Sequence, residues 1–258
     1  MENPQGQIQS LDRAFTLIEI IAKANEPLSL KTITELSDLP KPTVYRILSS
    51  LEAWGYVEQD NQNGCYKLGT KFLLLGTKVQ ESIEIKQIAR PYLKELNNET
   101  NETIFLGVLD KGRGLYIDKL DSTHSVRLVS SIGSRNYLHS TSLGKSLMSG
   151  LSNEAILKIM DEQGMPALTD NTITDKEVLL HQIELVREKG FALDNVENEE
   201  GVRCIAAPLK DHKGRVIAAV SISGPVQRIT DEALETKLKP ALLKTVAKIS
   251  QALGYNKL

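Results

Sequence analysis

The sequence predicts an α+β protein in two parts: an N-terminal winged helix-turn-helix, a linker helix, and a larger α+β domain with helices packed on antiparallel strands. Three observations carry this. Between residues 11 and 51, three short segments repeat apolar residues at helical spacing. A polar turn, DNQNG at 60–64, then separates two short β-type runs. Beyond residue 100 the pattern becomes paired apolar runs, TIFLGVL with GLYIDKL and VRCIAAPL with RVIAAVSIS. The predicted divisions are 1–69, 70–88 for the linker helix, and 89–258.

Each element has a local cause. In the first helix Leu11, Ala14, Phe15, Ile18 and Ala22 form one stripe, with Asp12, Arg13 and Glu19 off it. Pro27 ends it, and Ser29 is placed to cap a second helix that buries Ile33 and Leu36. After the turn Asp38-Leu-Pro40, Pro42 suits the first turn of a third helix, whose inward stripe is Val44, Ile47, Leu48 and Leu51. Its other face carries Thr43, Tyr45, Arg46, Ser49 and Ser50 behind Lys41, with no acid from Lys41 to Leu51. Tyr56 to Gln59 and Cys65 to Leu68 then form the hairpin wing. In this plan the third helix enters the major groove, so Lys41, Thr43, Tyr45 and Arg46, with Lys67 on the wing, are the candidate DNA contacts.

From Thr70 to about Ile88 the chain reads as a helix with Phe72, Leu73, Leu75 and Val79 apolar on more sides than one contact uses, and Pro91 as the start of another that buries Leu93 and Leu96. A hairpin follows over 103–120, then a third strand at Val126–Val129. Helices are expected near 143–150, 153–163 and 175–189, a second hairpin over 202–223, and a closing helix from Asp231 to about Leu253.

Composition excludes several classes. No apolar run approaches the length of a bilayer span and the first ten residues are polar, so a cytoplasmic protein without a membrane partner is expected. Cys65 and Cys204 form no CxxC, and His124, His139, His181 and His212 have no ligand spacing with them, so neither metal nor cofactor is expected. Net charge is -2 overall. Residues 1–70 hold six Lys/Arg against nine acids, 6 − 9 = -3, so nonspecific affinity for DNA should be modest.

The stretch GSRNYLHSTSLGKS (133–146) ends like a phosphate-binding loop, but the glycine such a loop needs at 139 is His139. Ser142 and Lys145 also mimic the S-x-x-K of penicillin-binding enzymes, without the S-D-N or K-T-G that should follow. Ser140-Thr141-Ser142 either only caps a helix or offers that helix's amides to an anion. In the second hairpin, a two-residue loop at His212-Lys213 puts Cys204 opposite Ser221, with Ser223 on the same face. Buried hydroxyls there would be satisfied by a polar ligand or by neighbouring carbonyls. Asp194 reads either as an acceptor for a ligand hydroxyl or as a turn residue. A thiol enzyme with Cys204 as nucleophile and His139 or His212 as base is a competing reading, weakened by the mid-strand place of Cys204. A protein-interaction role for the winged helix is another.

With these segments in order, the chain resembles the IclR family of bacterial transcriptional regulators. The resemblance rests on PKPTVYRILSSLEAWGYV (40–57) with YKLG, then GSRNYLHSTSLGKS, DNVENEEGVRCIAAPLKD and VIAAVSISGP, and runs from about Ile8 to Tyr255. It implies a C-terminal effector domain of GAF-like topology, binding to double-stranded DNA as homodimers often paired into tetramers, and control by small organic acids. By position, the family's effector pocket corresponds to Leu138, Asp194, Cys204, Ser221 and Ser223; Ser140, Thr141 and Gly144 join it from the helix start. Tyr137 stands where family members often have proline, which alters the pocket rim. The function so implied is a DNA-binding regulator, more often a repressor, of carbon catabolism, and not an enzyme.

Overall fold

The computed structural model describes residues 8–60, 63–82, 84–125, 128 and 130–255. The chain forms two compact units, Met1–Ser82 and Ile83–Leu258.

In the first unit α1 (Gln9–Lys23), α2 (Leu30–Ser37) and α3 (Lys41–Ala53) enclose a small core of Leu17, Ile21, Ile33, Val44 and Leu48, closed by Val57 and Tyr66 of the wing. Ser29 caps α2 by accepting from the Thr32 amide at 3.1 Å. Strands β1 (Val57–Gln59) and β2 (Tyr66–Leu68) pair antiparallel, and Tyr66 also exchanges backbone bonds with Leu28, tying the wing to the α1–α2 connection. Two sequence expectations fail here. The buried stripe of α1 is Leu17 and Ile21 flanked by half-buried Ala14 and Ile18, while Leu11 (51% exposed) and Phe15 (61%) face solvent. An apolar run that wraps the helix offers two stripes, and packing on Ile33 and Val44 chose the other one. Leu36 is likewise exposed, because the eight-residue α2 turns only Ile33 fully inward.

Helix α4 (Lys71–Ser82) follows, and then α5 (Glu84–Thr100), with residue 83 between them outside the described residues. Pro91 does not start a helix but lies inside α5. An interior proline costs about 3 kcal/mol through a lost backbone bond and a ring clash. Ala89, Leu93 and Leu96, all fully buried on either side of it, hold the helix against the sheet.

The second unit is built on six antiparallel strands in the order β5-β4-β3-β8-β7-β6: β3 (Thr103–Asp110), β4 (Arg113–Leu120), β5 (Arg135–Asn136), β6 (Ala192–Asn195), β7 (Val202–Lys210) and β8 (Val216–Pro225). One face, with Ile104, Leu106, Ile205, Val220 and Ile222, packs on α5 and on the closing helix α10 (Lys239–Ala252), which is reached through one turn, α9 (Asp231–Ala233), and a π-helical segment at Leu234–Leu238. The other face carries Phe105, Tyr116, Ala206 and Ala219 under α6 (Ser142–Met148), α7 (Asn153–Gln163) and α8 (Lys176–Lys189). Of the expected strand at Val126–Val129, residues 126, 127 and 129 lie outside the described residues; the strand observed beyond β4 is β5.

The β7–β8 register departs from the predicted one by two residues. Asp211 and Arg215 close a longer loop, a bulge follows at Lys210, and Cys204 pairs with Ser223 while Ser221 faces Ala206. A two-residue offset preserves parity, so Cys204, Ser221 and Ser223 still share one face.

The wing depends on a close backbone approach. A Cβ on Gly69 would lie 2.2 Å from the Gly55 carbonyl oxygen. Gly69→Ala should therefore destabilise the first unit by about 1–3 kcal/mol, measured as a lower urea midpoint against wild type.

Candidate effector site and DNA-reading helix

The polar face of the sheet meets α6 at a small cavity of about 20 Å³, roughly one water in size. Pairing places three of its residues in one row across the strands: Asp194 opposite Cys204, and Cys204 opposite Ser223. Ser221, one step along β8, pairs with Phe105, whose ring stacks on Tyr116 at 4.2 Å between centroids. Thr141 and Ser142 close the cavity from the start of α6, and Asn198 and Glu199 from the loop after β6. The Ser221 hydroxyl is buried with no hydrogen-bond partner among the described residues, a costly condition that a bound polar group would relieve.

Of the residues singled out from sequence, Thr141, Asp194, Cys204, Ser221 and Ser223 line this cavity. Leu138, Ser140 and Gly144 do not: they build its support. Ser140 donates to the Asn198 side chain at 3.0 Å, and Gly144 lets α6 approach the Leu138 backbone so closely that a Cβ would sit 2.3 Å from its carbonyl oxygen. Thr141 is the cap, accepting from the Gly144 amide at 3.0 Å, so its oxygen serves the helix as well as the cavity wall.

Sequence reasoning missed the charge behind this wall. Lys145 is 2% exposed, and its ammonium donates to both oxygens of the buried Glu197 carboxylate at 2.7 Å. That lysine is therefore committed to a carboxylate, which removes what a phosphate loop would need. The signal was present as a lysine inside a wholly apolar and small-residue helix, which must find an acid, and Asp194-Asn-Val-Glu-Asn-Glu-Glu200 supplies several. Glu197 follows Val196, a β-branched residue at φ 61, a strained conformation held by Thr169, which donates to the Val196 carbonyl at 2.6 Å, and by Thr172, which donates to that of Glu197 at 2.6 Å.

Because Lys145 answers Glu197, Asp194 has no cation of its own. It accepts from the Glu197 amide at 2.7 Å, yet burial above all pushes its carboxyl up to about 7, with the Glu197 charge adding to the rise and the Glu197 amide opposing it. Burial, reinforced by Asp194, also pushes the Cys204 thiol well above its usual range. His139 is buried against the Pro166 carbonyl, and exposed His212 lies in the β7–β8 loop. Thus Cys204 is not an activated nucleophile.

A larger open groove, about 690 Å³, lies between the ends of α8 and α10 and the β7–β8 hairpin. Its Arg187 is consumed by the carbonyls of Ser149 and Leu151 and the side chain of Asn153, so that charge braces the α6–α7 connection rather than facing a ligand.

In the first unit Lys41, Tyr45 and Arg46 are exposed along the start of α3, and Thr43 is half-buried. Arg46 shares a groove of about 430 Å³ with Thr43, Ser50 and, from α1, Arg13, a cation the sequence reading placed off the stripe without giving it a role. Lys67 differs from the others: it pairs with Glu58 at 3.3 Å, so part of its charge is already answered.

Asp194 makes stability depend on pH. The folded side chain keeps its proton up to about 7, and the unfolded one releases it near 3.8, so folding binds a proton between these values. The contribution is full below that window, is lost as pH rises through about 7, and is level above. Asp194→Asn should flatten the wild-type decline between pH 4 and 8 by on the order of 2–4 kcal/mol, read from urea midpoints across pH. Parallel curves for the two proteins would contradict it.

Known proteins resemble both parts of the chain. Residues 10–61 match the IclR helix-turn-helix domain, and residues 77–251 match the family described as bacterial transcriptional regulator IclR C-terminal. The chain is 36% identical over 248 residues to the HTH-type transcriptional regulator XynR of Escherichia coli K12, covering 96% of this chain and 98% of that protein. It is 31% identical over 251 residues to the acetate operon repressor of Salmonella typhimurium LT2, covering 96% and 91%. The crystal structure of the Thermotoga maritima IclR superposes with a TM-score of 0.79 at 32% identity, covering 96% of this chain and all of that one.

Proposed function

We propose, from the premise that this chain belongs to the IclR family of DNA-binding bacterial transcriptional regulators, that it is a repressor in carbon catabolism whose hold on its operator is set by a small organic acid. The observation that carries the effector reading is the unpartnered Ser221 hydroxyl, buried in a cavity it shares with Asp194, Cys204 and Ser223. The effector is a small monoacid bearing a hydroxyl or keto group. Its carboxylate lies toward the α6 start at Thr141 and Ser142, where first-turn amides lack helical partners. Its hydroxyl or carbonyl meets Asp194, Ser221 and Ser223. Glu199 on the cavity wall discourages a second negative charge. Repression is favoured over activation because the acetate operon relative is named a repressor.

Operator reading is assigned to Lys41, Thr43, Tyr45 and Arg46, with a lesser share for Lys67. The working form is a homodimer, or a pair of dimers, on a partly palindromic site. This rests on apolar side chains left exposed in the first unit, Ile8, Leu11 and Phe15 on α1 and its approach and Leu73 and Leu74 on α4; the Val79 side chain lies outside the described residues. Among the described residues no helix is long and apolar enough to cross a membrane, and a cytoplasmic site of action is proposed. DNA binding requires no metal, nucleotide or flavin.

Arg46→Ala should weaken operator binding by about 1–3 kcal/mol in a gel-shift titration, and unchanged affinity would remove Arg46 from the reading surface. Sedimentation at micromolar concentration should give a dimer or larger; a monomer that footprints one half-site would refute the assembly. In thermal-shift screening of carboxylic and sugar acids, a hit on wild type should be lost in Asp194→Ala and Ser221→Ala. Equal stabilisation of all three places the ligand elsewhere.

A further inference from the structure

The cavity lies on one face of the sheet, and α5, the element that follows α4 in the chain, lies on the other. A single irregularity joins the two faces. Along β3 and β4 the pairing runs Phe105↔Lys119 and Leu106↔Asp118, then jumps to Gly107↔Tyr116, leaving Ile117 as an extra residue. Tyr116 therefore points into the cavity wall, while Ile117 and Asp118 both point to the α5 side. Without the bulge, Tyr116 and Asp118, two apart, would share a face.

Asp118 is 1% exposed and meets two cations from α5. Arg90 donates to both of its oxygens, at 2.5 Å to Oδ2, and the Lys86 ammonium stands 3.8 Å from Oδ1. Lys86 and Arg90 are four residues apart, one helical turn, on the same side of the helix. A buried carboxylate needs a partner, and this one holds two at once in line along α5, Arg90 the nearer. A change in the balance between the two cations would be the two-state element that coupling requires.

A cavity of about 20 Å³ must widen to hold an organic acid, and the Phe105–Tyr116 stack is one of its walls. Tyr116 and Asp118 flank the bulged Ile117, so only one residue of backbone separates the cavity wall from the carboxylate that α5 holds. We propose that Asp118 relays occupancy of the cavity to α5 by shifting its hold between Arg90 and Lys86. Arg90 marks the state seen here; a shift toward Lys86 moves the strand one turn along the helix that leads from α4. The inference rests on the effector reading above and names how that site is coupled to DNA.

The test needs neither a known effector nor a known operator. Wild-type protein selects DNA from a random library, and the selected duplex serves as probe. Ser221→Leu is the wedge, filling the cavity beside Phe105 from within; Ser223→Val is the second wedge should the first fail to fold. Each is combined with Arg90→Gln and with Lys86→Gln, and affinities are compared in a double-mutant cycle. The wedge should change affinity roughly tenfold alone and less than about twofold with Arg90→Gln. Arg90→Gln and Lys86→Gln alone should shift affinity in opposite directions, which loss of a merely structural ion pair would not do. Additive effects, shifts in the same direction, or a folded wedge without effect overturn the relay and leave the regulator reading intact. A wild-type protein that selects no DNA overturns the regulator reading itself.

Discussion

Strict alternation of side chains across the central strands β3, β8 and β7 is the constraint on which the second unit rests. On one face the middle of these strands is filled by Ile, Leu, Val and Ala and receives α5 and α10, which supplies the dry core. The other face must then carry whatever polarity the strands contain, and it does so under α6. Hydrophobic burial on the first face holds the sheet against its helices while the second face keeps polar groups that contribute little to stability. A substitution that slipped one strand by a single residue would exchange the two faces and bury the hydroxyls among leucines.

Charge on the polar side is arranged in order of burial. Lys145 and Glu197 neutralise one another behind the wall, and breaking such a pair is far costlier than never having built it. Asp194 lies in front of them, and burial pushes its carboxyl up to about 7, so it is only partly ionised near neutral pH. The result is a cavity wall that is nearly neutral at its centre although three acids, Asp194, Glu197 and Glu199, stand within a few residues. An anion can approach such a wall; it could not approach the same residues all ionised.

What was legible in the sequence was local. Ser29 announced the start of α2, and the predicted helix at 153–163 has the bounds of α7, because caps and helical periodicity act within a few residues. The sharing of a face by Cys204, Ser221 and Ser223 survived a misjudged turn because parity tolerates an error of two. Four things were not legible. The stripe that α1 buries depends on what α2 and α3 present to it. Pro91 is tolerated only because the sheet grips α5 on both sides. The Lys145–Glu197 and Arg90–Asp118 pairs join residues 52 and 28 apart in the chain, and no window of sequence couples such positions. Leu138 was associated with the site through the family resemblance, and Ser140 and Gly144 through the helix start, whereas the cavity lining leaves all three one layer behind it.

The pairing of Lys67 with Glu58, in a unit that is short of cations to begin with, bears on where the protein resides when it is not at its operator. A reader with few free positive charges gains little from phosphates at random sequence, so its partition between chromosome and solution favours solution at ordinary salt. Molecules released by effector rejoin a diffusing pool instead of lingering near the site they left. Rebinding is then a fresh encounter, governed by copy number, and the regulator's response follows its cellular abundance more steeply than that of a strongly basic relative would.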